Sequence, residues 1–136
     1  MRAAVSLCLV ALAALVAGMA RAEPTALTGE AFDKAVTGRT FHYRAGLSSF
    51  GTEQYLPGRR VIWAFTGDDC EKGVWYPEGE DICFLYDGQD GPVCWSFLQT
   101  DTGLVARSLG NPDLPTLIGR QTMPGALACL GPDVGV

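Results

Sequence analysis

Residues 55–97 read YLPGRRVIWAFTGDDCEKGVWYPEGEDICFLYDGQDGPVCWSF and hold all three tryptophans and three of the five cysteines. Short apolar-aromatic runs alternate here with clusters of Pro, Gly and Asp. Alternation within a run turns one face of an extended chain to a core and the other to water. The clusters between runs supply tight turns. In the run 60–65, Val61, Trp63 and Phe65 share one face. The stretch predicts consecutive antiparallel strands joined by hairpins, with no βαβ rhythm that would build a parallel sheet.

The flanking sequence extends the pattern. Strands are expected over 40–44, 53–56, 60–65, 74–76, 82–86, 93–98 and 104–108, with loops over 45–51 and 66–72 and a turn over 77–80. Residues 109–136 are rich in Pro and Gly and read as an ordered tail tied down by Cys129. Ahead of the strands, residues 28–38 carry a helix signature. Thr28 is placed to cap the first turn, Leu27 and Phe32 occupy the hydrophobic-staple positions, and Gly38 can end the helix in a left-handed turn. The fold class is therefore mainly β: a single curled antiparallel meander of about seven short strands, a sandwich or partly open barrel, with one short N-terminal helix.

Residues 1–22 read as a secretory signal peptide. Arg2 precedes a short apolar run over 3–16, and Ala20-Arg21-Ala22 forms an A-x-A site before Glu23. The apolar run falls short of the roughly 20 residues that a membrane span needs. Cleavage after Ala22 would remove Arg2, Arg21 and Cys8 and leave one domain over 23–136. That domain carries eight basic side chains against 15 acidic ones, 8 − 15 = −7. Such a charge disfavours nucleic acid and anionic lipid as partners. The expected location is periplasmic or secreted, with no membrane insertion after cleavage.

Four cysteines remain in the domain, Cys70, Cys83, Cys94 and Cys129. An even count in a small exported chain reads as two disulfides. No C-x-x-C pair is present and His42 is the single histidine, so zinc is not expected. A hairpin centred near Gly79 sets position 75 opposite 83. Cys70 then lies about 17 Å along the strand from Cys83, beyond the roughly 7 Å that bridged Cα atoms allow. In the next hairpin an even loop sets Cys83 opposite Cys94, whereas an odd loop puts them on opposite faces. With the even loop, Cys83 pairs with Cys94 and Cys70 is left for Cys129.

Aromatic side chains are numerous enough to fill the core of a small curled sheet. The functional alternative is a concave face that stacks a ring, with Trp63, Trp75 and Trp95 as candidate ligand-binding residues. Alternation leaves open that one of Trp63 and Trp95 is core and the other exposed. The acidic turns 68–71, 78–81 and 87–90 match no EF-hand spacing and read as solvated hairpin chemistry, so no metal or cofactor is expected. Ser48 and Ser49 accompany His42 in number but lie in no nucleophile-elbow sequence, and no catalytic residue is assigned.

The segments YLPGRRVIW (55–63), Cys70, GVWY (73–76), GEDICFLY (79–86), CW (94–95) and CLGPDVG (129–135) together resemble a group of small exported proteins of proteobacteria. The resemblance covers most of the domain. It implies a periplasmic, disulfide-stabilised β domain and supplies no activity. The Ser-Gly-x-x-Tyr type loop of periplasmic lysozyme inhibitors is not matched by Ser49-Phe50-Gly51. The leading expectation is a non-enzymatic envelope module that binds a partner protein or small ligand. A small hydrolase using turn carboxylates is the alternative from another class, and a structural or stress-related envelope protein the third.

Overall fold

Among the described residues, inward and outward positions alternate along eight strands, close to the expected number, and the meander closes on itself. The computed structural model describes residues 22, 24–65, 70–122 and 127. Helix α1 (Gly29–Val36) is followed by β1 (Thr40–Ala45), β2 (Ser48–Leu56), β3 (Arg60–Phe65), β4 (Cys70–Glu78), β5 (Asp81–Tyr86), β6 (Val93–Thr100), β7 (Gly103–Arg107) and β8 (Leu117–Gln121). Each strand pairs antiparallel with the next, and β8 returns to β1 with Tyr43 opposite Gly119. Among the described residues, the mainly β, antiparallel meander with one helix is as the sequence predicts. Closure removes the free edges that a sandwich or open barrel would leave.

Helix α1 forms for the reasons its sequence advertises. Thr28 caps it, with Oγ1 accepting from the Ala31 amide at 3.2 Å, and Gly38 follows at φ 77°. Its apolar face carries Phe32, Ala35 and Val36. The helix lies across one end of the barrel: the Leu27 amide donates to the Phe97 carbonyl at 2.7 Å, and the Gly38 amide to the Tyr55 carbonyl at 2.9 Å. Phe32 is fully buried there, with ring centroids 5.0 Å from Trp75 and 4.6 Å from Phe97. An isolated eight-residue helix is unstable in water, so this docking is what keeps it formed.

Four local expectations are corrected. The loop expected over 45–51 is a tight turn, and β2 already begins at Ser48 with a bulge opposite Tyr43 and Arg44. Strand β4 is nine residues long. It takes in Cys70 and Lys72 from the expected loop and Pro77 from the expected turn. The tail contains β8, which supplies the last stave of the wall. Finally, Tyr76 rather than Trp75 pairs with Cys83, so Trp75 faces inward and Cys83 does not share its face.

Cys83 and Cys94 stand directly opposite each other on β5 and β6 and are bridged, with Cα atoms 4.0 Å apart. The connection between the paired residues Phe84 and Val93 is even, as that pairing requires. Cys70 is also disulfide-bonded. Its expected partner Cys129 lies outside the described residues.

The wall tolerates large rings because glycines face some of them. A Cβ on Gly119 would lie 2.3 Å from the Tyr43 ring, and one on Gly51 would lie 2.3 Å from the Trp63 ring. Each ring therefore lies flat over a neighbouring strand's backbone.

Candidate ligand-binding site

The two ends of the barrel differ. At the α1 end, Phe32 packs into a cluster with Tyr55, Trp75, Phe84 and Phe97. Trp75 belongs to this filled end, with the Arg59 guanidinium 4.9 Å from its ring centroid. Towards the opposite end the side chains do not meet, and a cavity of about 230 Å³ remains. An eight-stranded barrel is just wide enough to be filled by side chains or to hold one small ligand, and this one does each at a different end.

Alternation on neighbouring strands decides which residues reach the cavity. From β1 comes Tyr43, from β2 Glu53, from β3 Trp63, from β5 Tyr86 and from β6 Trp95. The Phe50 and Phe65 rings lie 6.0 Å apart, with Phe65 41% exposed. Trp63 contacts Tyr43, Phe50 and Phe65 at centroid distances of 6.2, 5.8 and 5.3 Å. Of the three candidate tryptophans, Trp63 and Trp95 both line the cavity and both are 7% exposed. The possibility that one is core and the other solvent-facing is not realised, because both fall on inward positions of their strands.

One carboxyl enters this aromatic space. Glu53 is 2% exposed and shares the inward face of β2 with Tyr55. The Tyr86 hydroxyl donates to Glu53 Oε2 at 2.9 Å. Glu53 Oε1 is buried and has no hydrogen-bond partner among the described residues. Burial pushes the carboxyl well above the usual carboxylate range; the Tyr86 hydrogen bond opposes that shift and the nearby Glu71 charge adds to it. Beside it, the Tyr43 and Tyr55 hydroxyls are hydrogen-bonded at 2.8 Å. Burial raises the Tyr43, Tyr55 and Tyr86 phenols as well. All three therefore stay protonated at neutral pH and serve as hydrogen-bonding groups.

Glu53 escapes a motif search because a single acid in a strand ordinarily points to solvent. The signal that locates it is its two-residue spacing from Tyr55 in the strand 53–56, which puts both on one face. Tyr43 and Tyr86 carry a similar signal, each two residues from a buried phenylalanine on its strand.

The other candidate chemistry lies outside the barrel. Ser49 Oγ is 3.3 Å from His42 Nε2, and His42 Nδ1 is 3.0 Å from Thr52 Oγ1. A hydroxyl therefore stands where a catalytic triad would have a carboxylate, and the group faces solvent rather than the cavity. Glu78 approaches Cys83 and Cys94, but these two sulfurs are bonded to each other and offer no thiolate to a metal. Among the described residues no helix is long and apolar enough to cross a membrane.

No protein-family model matches the chain, and neither a curated protein nor a solved structure matches it.

Proposed function

We propose that this chain is an exported, non-enzymatic binding module that holds one small, mainly apolar molecule in the open end of its barrel. The observation that carries this reading is the aromatic-walled cavity of about 230 Å³, opposite the end where Phe32 packs among Tyr55, Trp75, Phe84 and Phe97. Apolar cavities of about 150 Å³ admit benzene, so this space suits a single ring with a short side chain. A protein that served only as an envelope scaffold would gain stability by filling the space. Hydrolysis by paired carboxylates needs two acids facing one substrate. The described lining contains one, Glu53.

Export rests on the leader-like residues 1–22 and on the Cys83–Cys94 bridge, which suits an oxidising compartment. The resemblance to small exported proteobacterial proteins makes the periplasm the proposed site. Intact mass of the exported chain should begin at Glu23, and a full-length chain retained in the membrane would refute processing.

The three indole N–H resonances test the binding reading directly. Titration with 2-phenylethanol should move the Trp63 and Trp95 signals, which line the cavity, and leave Trp75 in place. Equal shifts at all three, or none, would overturn the assignment of the cavity as a binding site.

A further inference from the structure

The cavity wall is mainly aromatic and apolar, and Glu53 is its one ionisable carboxyl among the described residues. The rings of Tyr43, Trp63, Tyr86 and Trp95 line it, and Glu53 supplies a carboxyl whose Oε1 has no partner among the described residues. A buried carboxyl without a full set of partners is costly, and truncating its environment to apolar residues is usually the more stable solution. Its unpartnered oxygen is a place for a ligand group to complete it.

Three ligand classes can be weighed. An anion is disfavoured by the carboxyl, by the negative faces of the rings and by the net charge of residues 23–136. A neutral acceptor would gain one hydrogen bond from protonated Glu53 and nothing electrostatic from the rings. An organic cation gains from all of these at once. The carboxylate is its counter-ion, ring faces attract it, and the net negative charge of the domain steers it inward. Burial favours the neutral acid, and an incoming cation would itself favour the ionised form; the Tyr86 hydroxyl, which donates to Oε2, supports that form and leaves Oε1 as the acceptor.

We propose that the cavity takes a protonated arylalkyl amine whose ammonium group pairs with Glu53 Oε1 while its ring lies among Tyr43, Trp63 and Trp95. This rests on the binding reading above and specifies its ligand class. Size agrees, since a cavity somewhat larger than the benzene-binding case accommodates roughly nine or ten non-hydrogen atoms.

The test compares 2-phenylethylamine with its neutral isostere 2-phenylethanol by calorimetric titration of the purified protein at neutral pH. Wild type should bind the amine at least about tenfold more tightly than the alcohol. Glu53→Gln keeps the side-chain shape and an acceptor for Tyr86 and removes the charge. It should lose that preference. If the alcohol binds wild type as tightly as the amine, the amine proposal fails and the binding reading stands. If Glu53→Gln keeps the amine preference, Glu53 is not the counter-ion and the proposal fails again. Binding of neither probe would overturn both readings. The wild-type comparison needs no variant, so a poorly folded Glu53→Gln chain would not shield the proposal.

Discussion

The Tyr86 hydroxyl donates to Glu53 Oε2 at 2.9 Å across the barrel interior, joining β5 to β2, which are not neighbours in the wall. The bond ties two distant staves of the open end together through an ionisable group. Stability and pH are linked through that group.

The Glu53 carboxyl titrates near pH 4.3 in an unfolded chain and well above that when folded, chiefly through burial. A raised folded value means that the native state holds the proton longer. Its contribution is fully present below the unfolded value and is lost as pH rises through the folded one. Tyr86 on β5, Glu71 on β4, Tyr43 on β1 and Tyr55 on β2 itself are the titratable groups that act on Glu53 or are acted on by it. Urea midpoints measured from pH 4 to pH 8 should therefore fall for wild type relative to Glu53→Gln. Parallel curves for the two proteins would show that Glu53 does not titrate in this range.

Phe32 should be the residue that holds α1. Its ring is fully buried among Tyr55, Trp75, Phe84 and Phe97. Phe32→Ala should cost about 3–5 kcal/mol in chemical denaturation. A loss below about 1 kcal/mol would mean that the barrel end repacks without the helix.

The Cys83–Cys94 bridge joins residues that strand pairing already places opposite each other. It closes a short loop, so replacing both cysteines by alanine should cost about 2–3 kcal/mol and leave the fold intact. Peptide mapping without reduction should recover Cys83 linked to Cys94, and Cys70 linked to Cys129. A peptide joining Cys94 to Cys129 would contradict the pairing.

Gly119→Ala probes the seam between β1 and β8. The new methyl would lie 2.3 Å from the Tyr43 ring, whose hydroxyl is held by Tyr55 at 2.8 Å and so resists moving aside. Overpacking of this kind costs about 1–3 kcal/mol. An unchanged urea midpoint would mean that the seam parts freely.

Much of this architecture was legible in the chain. Strand β3 shows clean alternation at Val61, Trp63 and Phe65, and α1 announces itself through Thr28 and Phe32. Strand β8 was not legible because its inward positions are Leu117 and Gly119, and glycine gives no hydrophobic signal. The start of β2 hid for a related reason. Its inward Gly51 makes room for the Trp63 ring, and the bulge at Phe50 breaks the period. Both failures come from ring-over-glycine packing, where the informative residue sits on the adjacent strand. The site was half legible: Trp63 and Trp95 were candidates, whereas Glu53 becomes visible once its strand is known to face inward.

The β1–β8 seam sets an order of events. Residues 41–45 must wait for residues 117–121, so every earlier hairpin can form while the first strand still lacks its second neighbour. Ring closure is a long-range step that pays its loop entropy late. A chain threaded out of a ribosome or through a pore thus reaches its closed form only once residues 117–121 have emerged. Stopped short of residue 117, it presents β1 and β7 as two unsatisfied strand edges open to pairing with other chains. The arrival of β8, and of no earlier strand, is what shuts the barrel.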